Sequence, residues 1–503
     1  MLISKFKVHV MKLSKSILSV ALGATTFLGL TSCGDDFLDR QPIDQITVDN
    51  FYRTETDLES GILAAYTALQ SQQYFGEGWR VDETPSDDSR QNFGSAIDNF
   101  SVTAGSGEVA SYWSGRYRLV TLANIMIDKA PEAEVSEEVI TRVQAEARFL
   151  RAIAYYDIVR IFGAAPLITE PPSLDVDLLL PRSSTSDIYA LIKDDLAFAA
   201  EHLPLERDNG RATSGAANAY LASVHLTLRE YEDARDRSLE VINSGVYELM
   251  PDYGDLWVKE TYDNNSESVF EVQYAGCESW GTGNMRQAFF APWNQGITKN
   301  TDGWGSLVPT DPGQDNPTTT AADVWEEGDV RRYWSMMEPD NYYPTLNPGD
   351  GGYTYPSNGA GGASRNIKKY VMGGGSDVCF MSTPQNGSMM RYSEVILTYA
   401  EAVTNLSSGI SLNEEVVELV NGLRRRAQVP ELEFLDFEIL DLERRREFMF
   451  ESKRWFDILR KGNDRAVEIM RLSGRTLDET KLLFPIPASE LEINPNLVQN
   501  PGY

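Results

Sequence analysis

The chain has 503 residues, 42% hydrophobic and 24% charged, a mixture suited to a large folded body and not to a disordered chain. Its formal net charge of -30 and pI near 4.5 disfavour binding to nucleic acid or to an anionic membrane face, and leave neutral or basic partners. The three histidines are His9, His202 and His225, too few with the three cysteines to predict a Cys/His zinc site.

Met11-Lys12-Leu13-Ser14-Lys15 supplies a positive start and Ser16 to Leu30 an apolar run of secretory length, so residues 1–32 are predicted to be a signal peptide, with Met1 or Met11 as the start. The run is too short for a comfortable membrane span. Leu30-Thr31-Ser32-Cys33 looks like a bacterial lipobox, in which Cys33 takes a diacylglyceryl group and becomes the new N-terminus. Processing removes four lysines and no acids, so the mature charge becomes -34 and the acidity belongs to the folded part. Acyl chains contribute roughly 0.8 kcal/mol per buried methylene, enough for firm anchoring without a transmembrane helix. Gly34-Asp35-Asp36 resembles the acidic export signal of Bacteroidota surface lipoproteins.

Residues 33–503 read as one domain. Thr56 to Gln72 carries Leu58, Ile62, Ala65 and Leu69 at helical spacing, the first amphipathic helix. Between Gly76 and Gly94 this gives way to Trp79, Arg80, Asp82, Asp87, Asp88, Arg90, Asn92 and Phe93, a polar loop with aromatics of the kind where ligand contacts concentrate. Helices are predicted over 112–129, ended by Pro131, and over 137–161, capped by Gly163. Another covers 186–202, introduced by Ser186-Asp187. A hairpin follows over 216–244, where Leu221, Ala222, Tyr231 and Ala234 fall loosely as in a tetratricopeptide repeat.

From Gly276 to Gln385 the character changes. These 110 residues hold 17 of the 38 glycines and 5 of the 9 tryptophans, a glycine density that excludes regular helices and predicts loops, short strands and brief helices laid over the scaffold. Met390 to Ala402 and Asn413 to Gln428 form a further hairpin, and four helix pairs are expected at about 112–161, 186–244, 390–428 and 436–470. Leu442 to Arg460 reads as one helix whose apolar face carries Phe448, Met449, Trp455, Phe456 and Leu459, stopped by Lys461-Gly462. Glu443 with Arg446, Glu451 with Arg454 and Asp457 with Arg460 stand three apart, which favours a packing helix with paired charges over a catalytic or nucleic-acid array. The prolines of the 481–503 tail predict an extended, packed segment.

The lipobox with Asp36-Phe37-Leu38-Asp39, the Arg391 to Ala402 run, Asn421 to Ala427, Leu442 to Arg460 and the Pro485-Ile486-Pro487 to Tyr503 tail together resemble, in order, the SusD/RagB family of outer-membrane nutrient-binding lipoproteins. The resemblance implies a mainly α fold, a tetratricopeptide-like helix-pair scaffold over about 50–250 and 390–470, with a loop-rich, partly β insertion at about 275–385 carrying the ligand surface. It implies a lipid-anchored protein facing the cell exterior that binds a glycan and caps a SusC-like TonB-dependent transporter. Some relatives look suited to peptides, which keeps a peptide-binding alternative open, and a lipid-anchored glycoside hydrolase is the alternative from another class.

No catalytic motif with specific spacing is present, and with 75 acidic residues a chance pair of carboxylates carries no information about glycoside hydrolysis. Sugar binding asks for aromatic faces against the C–H side of pyranose rings and for Asp, Asn, Gln and Arg at the rim. Trp280, Arg286, Trp293 and Trp304 supply these in the insertion, with Trp79, Asp87, Arg90 and Asn92 completing the set. The strong negative charge favours a neutral glycan. Cys277 and Cys379 are either a disulfide, closing a loop worth roughly 4 to 5 kcal/mol, or two thiols. No cofactor is predicted; carboxylates are plentiful enough for a structural calcium, but no ligand spacing predicts one.

Overall fold

Helices that cannot bury both faces alone stack in series along most of the chain. The computed structural model describes residues 51–173, 179–206, 210–258, 260–276, 283–293, 295–297, 303–311, 319–347, 349, 351–373 and 382–503. Cys33, Cys277, Trp280 and Cys379, and with them the signal peptide, the lipidation site and the disulfide expectation, lie outside the described residues. Helices α1 (Glu55–Gln70), α2 (Gly107–Lys129), α3 (Glu137–Phe162), α4 (Thr185–His202), α5 (Ser214–Leu228), α6 (Tyr231–Asn243), α7 (Tyr392–Leu406) and α8 (Glu414–Arg426) each pack on the next. The series continues into α9 (Phe437–Glu447), α10 (Arg454–Arg460) and α11 (Asn463–Leu472).

Local chemistry sets the ends. Thr54 and Asp57 form a reciprocal capping box at the start of α1. Gly163, at φ 70°, ends α3 where an L side chain would be strained. The cap of α4 is Ser184, whose hydroxyl accepts from the Asp187 N–H, in place of the expected Ser186. Residues 186–244 therefore hold three helices, and so do residues 436–470, instead of one pair each.

The insertion and its neighbours are woven from short antiparallel pairs. Strand β1 (Ser89–Gln91) pairs with β3 (Leu307–Pro309), β2 (Ser268–Val272) with β8 (Gly387–Arg391), β4 (Met336–Met337) with β7 (Asn366–Ile367), and β5 (Tyr342–Tyr343) with β6 (Tyr353–Thr354). These enclose a second core of Trp79, Phe289, Phe290, Met336, Tyr343, Tyr355 and Tyr370, separate from the core of the helical stack. The 481–503 tail is packed as expected through Phe484 and Ile486, but Ala488–Ile493 forms one helical turn between its prolines.

The expected single helix over 442–460 is broken. Phe448 to Lys453 leave the helical path, with Phe450 at φ 66° and Ser452 at φ 60°, and their side chains divide between the cores. Phe448 belongs to the helical core, while Met449 and Phe450 enter the second one. This turn is the seam that fastens the insertion to the scaffold. Of the three charge pairs expected within the segment, only Asp457 with Arg460 forms, at 2.7 Å. Glu443 accepts instead from Arg331 and Arg424, and Glu451 from Lys369 and Arg391. Arg446 turns to Glu326, and Arg454 to Asp87 and Asp441.

These contacts join a network of six bases (Arg331, Lys369, Arg391, Arg424, Arg426, Arg446) and six acids (Glu267, Glu326, Asp329, Glu443, Glu447, Glu451), buried except at the partly exposed Glu326. Equal numbers matter because each buried ion is costly unless opposed. Lys368 stands outside it, meeting among the described residues only the Val371 carbonyl at 3.2 Å and the Trp334 ring at 5.0 Å, and burial pushes its ammonium down to about 7. The unfolded chain keeps that proton up to its ordinary value near 10.5, so this residue's cost is full below pH 7 and fades as pH rises toward 10.5. Lys368→Met is expected to stabilise the protein by about 1–3 kcal/mol at pH 7, with the gain shrinking by pH 10, as read by denaturant unfolding at both pH values.

Candidate functional site

Three loops converge beside β1 and β3. The backbone after the short helix Arg286–Phe290 turns back on itself, and the Trp304, Gly305 and Ser306 N–H groups donate to the Ala288, Ala291 and Phe289 carbonyls at 2.6, 2.8 and 2.6 Å. A Cβ on Gly303 would lie 2.1 Å from the Ala291 carbonyl, so only glycine permits this approach. From the second loop, the Asn92 N–H donates to the Ser306 carbonyl at 2.9 Å and its carboxamide to the Gly361 carbonyl at 2.8 Å. Gly361, in the third loop, has φ 60° and would place a Cβ 2.7 Å from the Trp293 nitrogen.

The product of this convergence is an aromatic pair. Phe93 and Trp293 meet edge to face at 6.4 Å and 84° while remaining 65% and 55% exposed. Apolar rings this open, held on tied backbone, form a platform for a flat, partly apolar ligand. Trp304, 41% exposed, stands on the neighbouring strand segment, edge-on to the buried Phe289 at 5.2 Å. Polar groups surround them. Arg90 pairs with Asp311 at 3.3 Å, Ser364 also donates to Asp311, and Gln295 accepts from the Tyr353 hydroxyl at 3.4 Å. Farther back, burial resists ionisation of Glu338, but hydrogen bonds from Arg332 and Arg365 outweigh it and hold the carboxyl below its usual range.

Of the residues expected to touch ligand, Arg90, Asn92 and Trp293 come together here and Trp304 stands close by. Trp79, Asp87 and Arg286 do not reach the surface. Trp79 is fully buried between Phe289 and Phe290, with ring centroids at 5.3 and 5.4 Å. Asp87 is buried against Arg445 and Arg454 at 3.1 and 2.8 Å; burial opposes its charge, but the two guanidiniums prevail and keep its carboxyl below the usual value. The Arg286 guanidinium lies over the Phe75 ring at 4.0 Å and the Tyr370 ring at 5.0 Å. The loop over 76–94 is therefore mostly a core element, pinned from the far end of the chain. Phe93 was not among the expected contacts; its position between Asn92 and Gly94, at a turn after a strand, is the signal that marks it.

Among the described residues, one group has metal-ligating types in reach of one another: His225, Glu230 and Asp233. Lys193 already donates to Glu230 at 2.9 Å and the His225 Nδ1 lies 2.6 Å from it, so the group is an ion-paired link between α4 and the α5–α6 turn. No described helix is long and apolar enough to cross a membrane.

Residues 266–503 match a family model described as the SusD family, and residues 36–226 match one described as starch-binding, associating with outer membrane. A SusD-like protein of Bacteroides ovatus is 31% identical over 462 residues, covering 87% of this chain and 81% of that protein. A crystal structure determined with xylogluco-oligosaccharide superposes with a TM-score of 0.77 at 25% identity, covering 86% of this chain and 97% of the other. A laminarin-binding SusD-like protein superposes with a TM-score of 0.73 at 26% identity, covering 90% of this chain and 100% of the other.

Proposed function

Because the chain belongs to the SusD family, we propose that it is a non-enzymatic glycan-binding lipoprotein of the outer membrane, anchored through Cys33, facing the cell exterior and passing poly- or oligosaccharide to a SusC-like TonB-dependent transporter. Residues 1–32 act as its signal peptide and 33–503 as the mature domain. The observation that carries the glycan reading is the exposed Phe93–Trp293 pair with polar side chains at its edge. Pyranose rings offer an apolar C–H face to such a pair, and their hydroxyls meet Arg90, Asn92, Gln295 and Asp311 around it. The neighbours determined with xylogluco-oligosaccharide and described as laminarin-binding support the same ligand class.

A neutral glycan is preferred on charge. The rim's Arg90 is already paired with Asp311 and so is not free to neutralise a uronate or sulfate, and the protein as a whole repels polyanions. Titration calorimetry of the purified mature protein against xyloglucan oligosaccharides, laminarin, a uronate polymer and a peptide pool tests this. Binding to a neutral glycan without its cleavage is the expected result; turnover of the glycan, or binding to peptide alone, would refute it. Anchoring is tested by detergent phase partition, in which Cys33→Ala is expected to move the protein from the detergent to the aqueous phase.

A further inference from the structure

We propose a second carbohydrate subsite in the polar cleft between the turn over Gln72–Gly76 and the start of α2, where further sugar units of the same neutral chain bind; this rests on the platform reading above. The cleft encloses about 400 Å³, within the range of small-ligand sites, and its open side chains are Gln72, Gln73, Glu77, Arg80, Glu108 and Ser111. Two carboxamides, two carboxylates, a guanidinium and a hydroxyl present planar, paired donors and acceptors of the kind that match neighbouring sugar hydroxyls. The Gln73 carboxamide makes no hydrogen bond among the described residues and faces solvent. The platform takes the apolar face of a sugar, and the cleft adds polar partners for the units that follow.

The backbone here is held in an unusual form. Gln72–Gly76 is a π-helical turn, a rare geometry that concentrates at functional sites. Arg116 satisfies it from below, its Nη1 donating to the Gln73 carbonyl at 2.9 Å and the Tyr74 carbonyl at 3.4 Å. Gly115 lets α2 approach; a Cβ there would stand 2.7 Å from the Gln73 carbonyl. The turn thus aims Gln73 outward from a fixed base, while the Gln72 carboxamide donates to Glu77, which also accepts from Arg80.

Cleft and platform are neighbours through one buried ring. The Arg80 guanidinium lies 4.7 Å from the Trp79 centroid and 5.1 Å from that of Phe289, and its Nε donates to Glu77. Phe289 is the ring that Trp304 meets at 5.2 Å. Arg80 and Trp304 thus contact the same ring, and in the proposed arrangement a chain lying on Trp293 and Trp304 runs on toward Arg80. Glu77 and Glu108 outnumber Arg80 in the cleft, so an acidic sugar is rejected there as well.

Calorimetry with xylogluco-oligosaccharide and laminarin as long probes, and cellobiose and laminaribiose as short ones, tests this with two exposed positions. Ser111→Trp, which fills the cleft, is expected to weaken the long probe that binds by about 10-fold and to leave the disaccharides and Tm unchanged; Gln73→Ala acts the same way but less. Unchanged long-probe affinity in both variants, with binding lost in Trp293→Ala, would overturn the subsite and leave the platform standing. Weakening by Ser111→Trp with no effect of Trp293→Ala would sink the platform alone. A wild type that binds none of the four probes refutes both.

Discussion

Trp293→Ala is expected to weaken glycan binding by about 30-fold or more while leaving Tm within a degree or two of wild type. The ring is more than half exposed, touches Phe93 at 6.4 Å through its edge, and contributes little to either core, so truncation removes contact area for a ligand and not for the fold. Trp79→Ala, the same chemical change, should behave in the opposite way. Trp79 is enclosed by Phe289, Phe290 and the Arg80 guanidinium, and its loss leaves a cavity worth about 3–5 kcal/mol of stability. The pair is measured by calorimetry with the bound neutral glycan and by thermal unfolding. Loss of binding in Trp79→Ala at full stability, or intact binding in Trp293→Ala, would contradict the assignment.

Glu447→Ala is expected to cost about 3–5 kcal/mol, a large share of the margin that holds a protein folded. Its carboxylate, fully buried, accepts from Arg426 at 2.6 Å, Arg391 at 2.8 Å and Arg331 at 3.3 Å. Burial by itself would raise its pKa, but the three guanidiniums hold it well below the ordinary carboxylate range. Removing it leaves six buried bases facing five acids. The same depression fixes the pH dependence: the contribution of Glu447 and the similarly lowered Glu451 is present above about pH 4.5 and lost as pH falls below it. Denaturant midpoints between pH 7 and pH 3 should therefore fall steeply for wild type and more gently for Glu447→Ala. A flat profile in wild type would show that these charges do not hold the frame.

The helical stack was legible because its signals are local. The terminating Pro131 and Gly163 and the 3.6-residue spacing of apolar side chains all act within a few positions. What was not legible lies between distant segments. The run over 76–94 has the composition of a ligand loop, and nothing in it reveals that Arg445 and Arg454, 357 and 367 residues away, neutralise Asp88 and Asp87. The break after Glu447 contains neither glycine nor proline; it occurs because Met449 and Phe450 are drawn into a second core, a tertiary demand that overrides helix propensity. In the candidate site, residue type alone does not tell an exposed ring from a buried one, and exposure separates Trp293 from Trp79.

The pairing of Asp87 and Asp88 with guanidiniums so late in the chain bears on how this protein is made. A ribosome delivers the two aspartates hundreds of residues before Arg445 and Arg454, the guanidiniums that bond them in the folded protein. Maturation therefore waits for the C-terminal tenth of translation, and a prematurely terminated product stays unfinished and open to proteases.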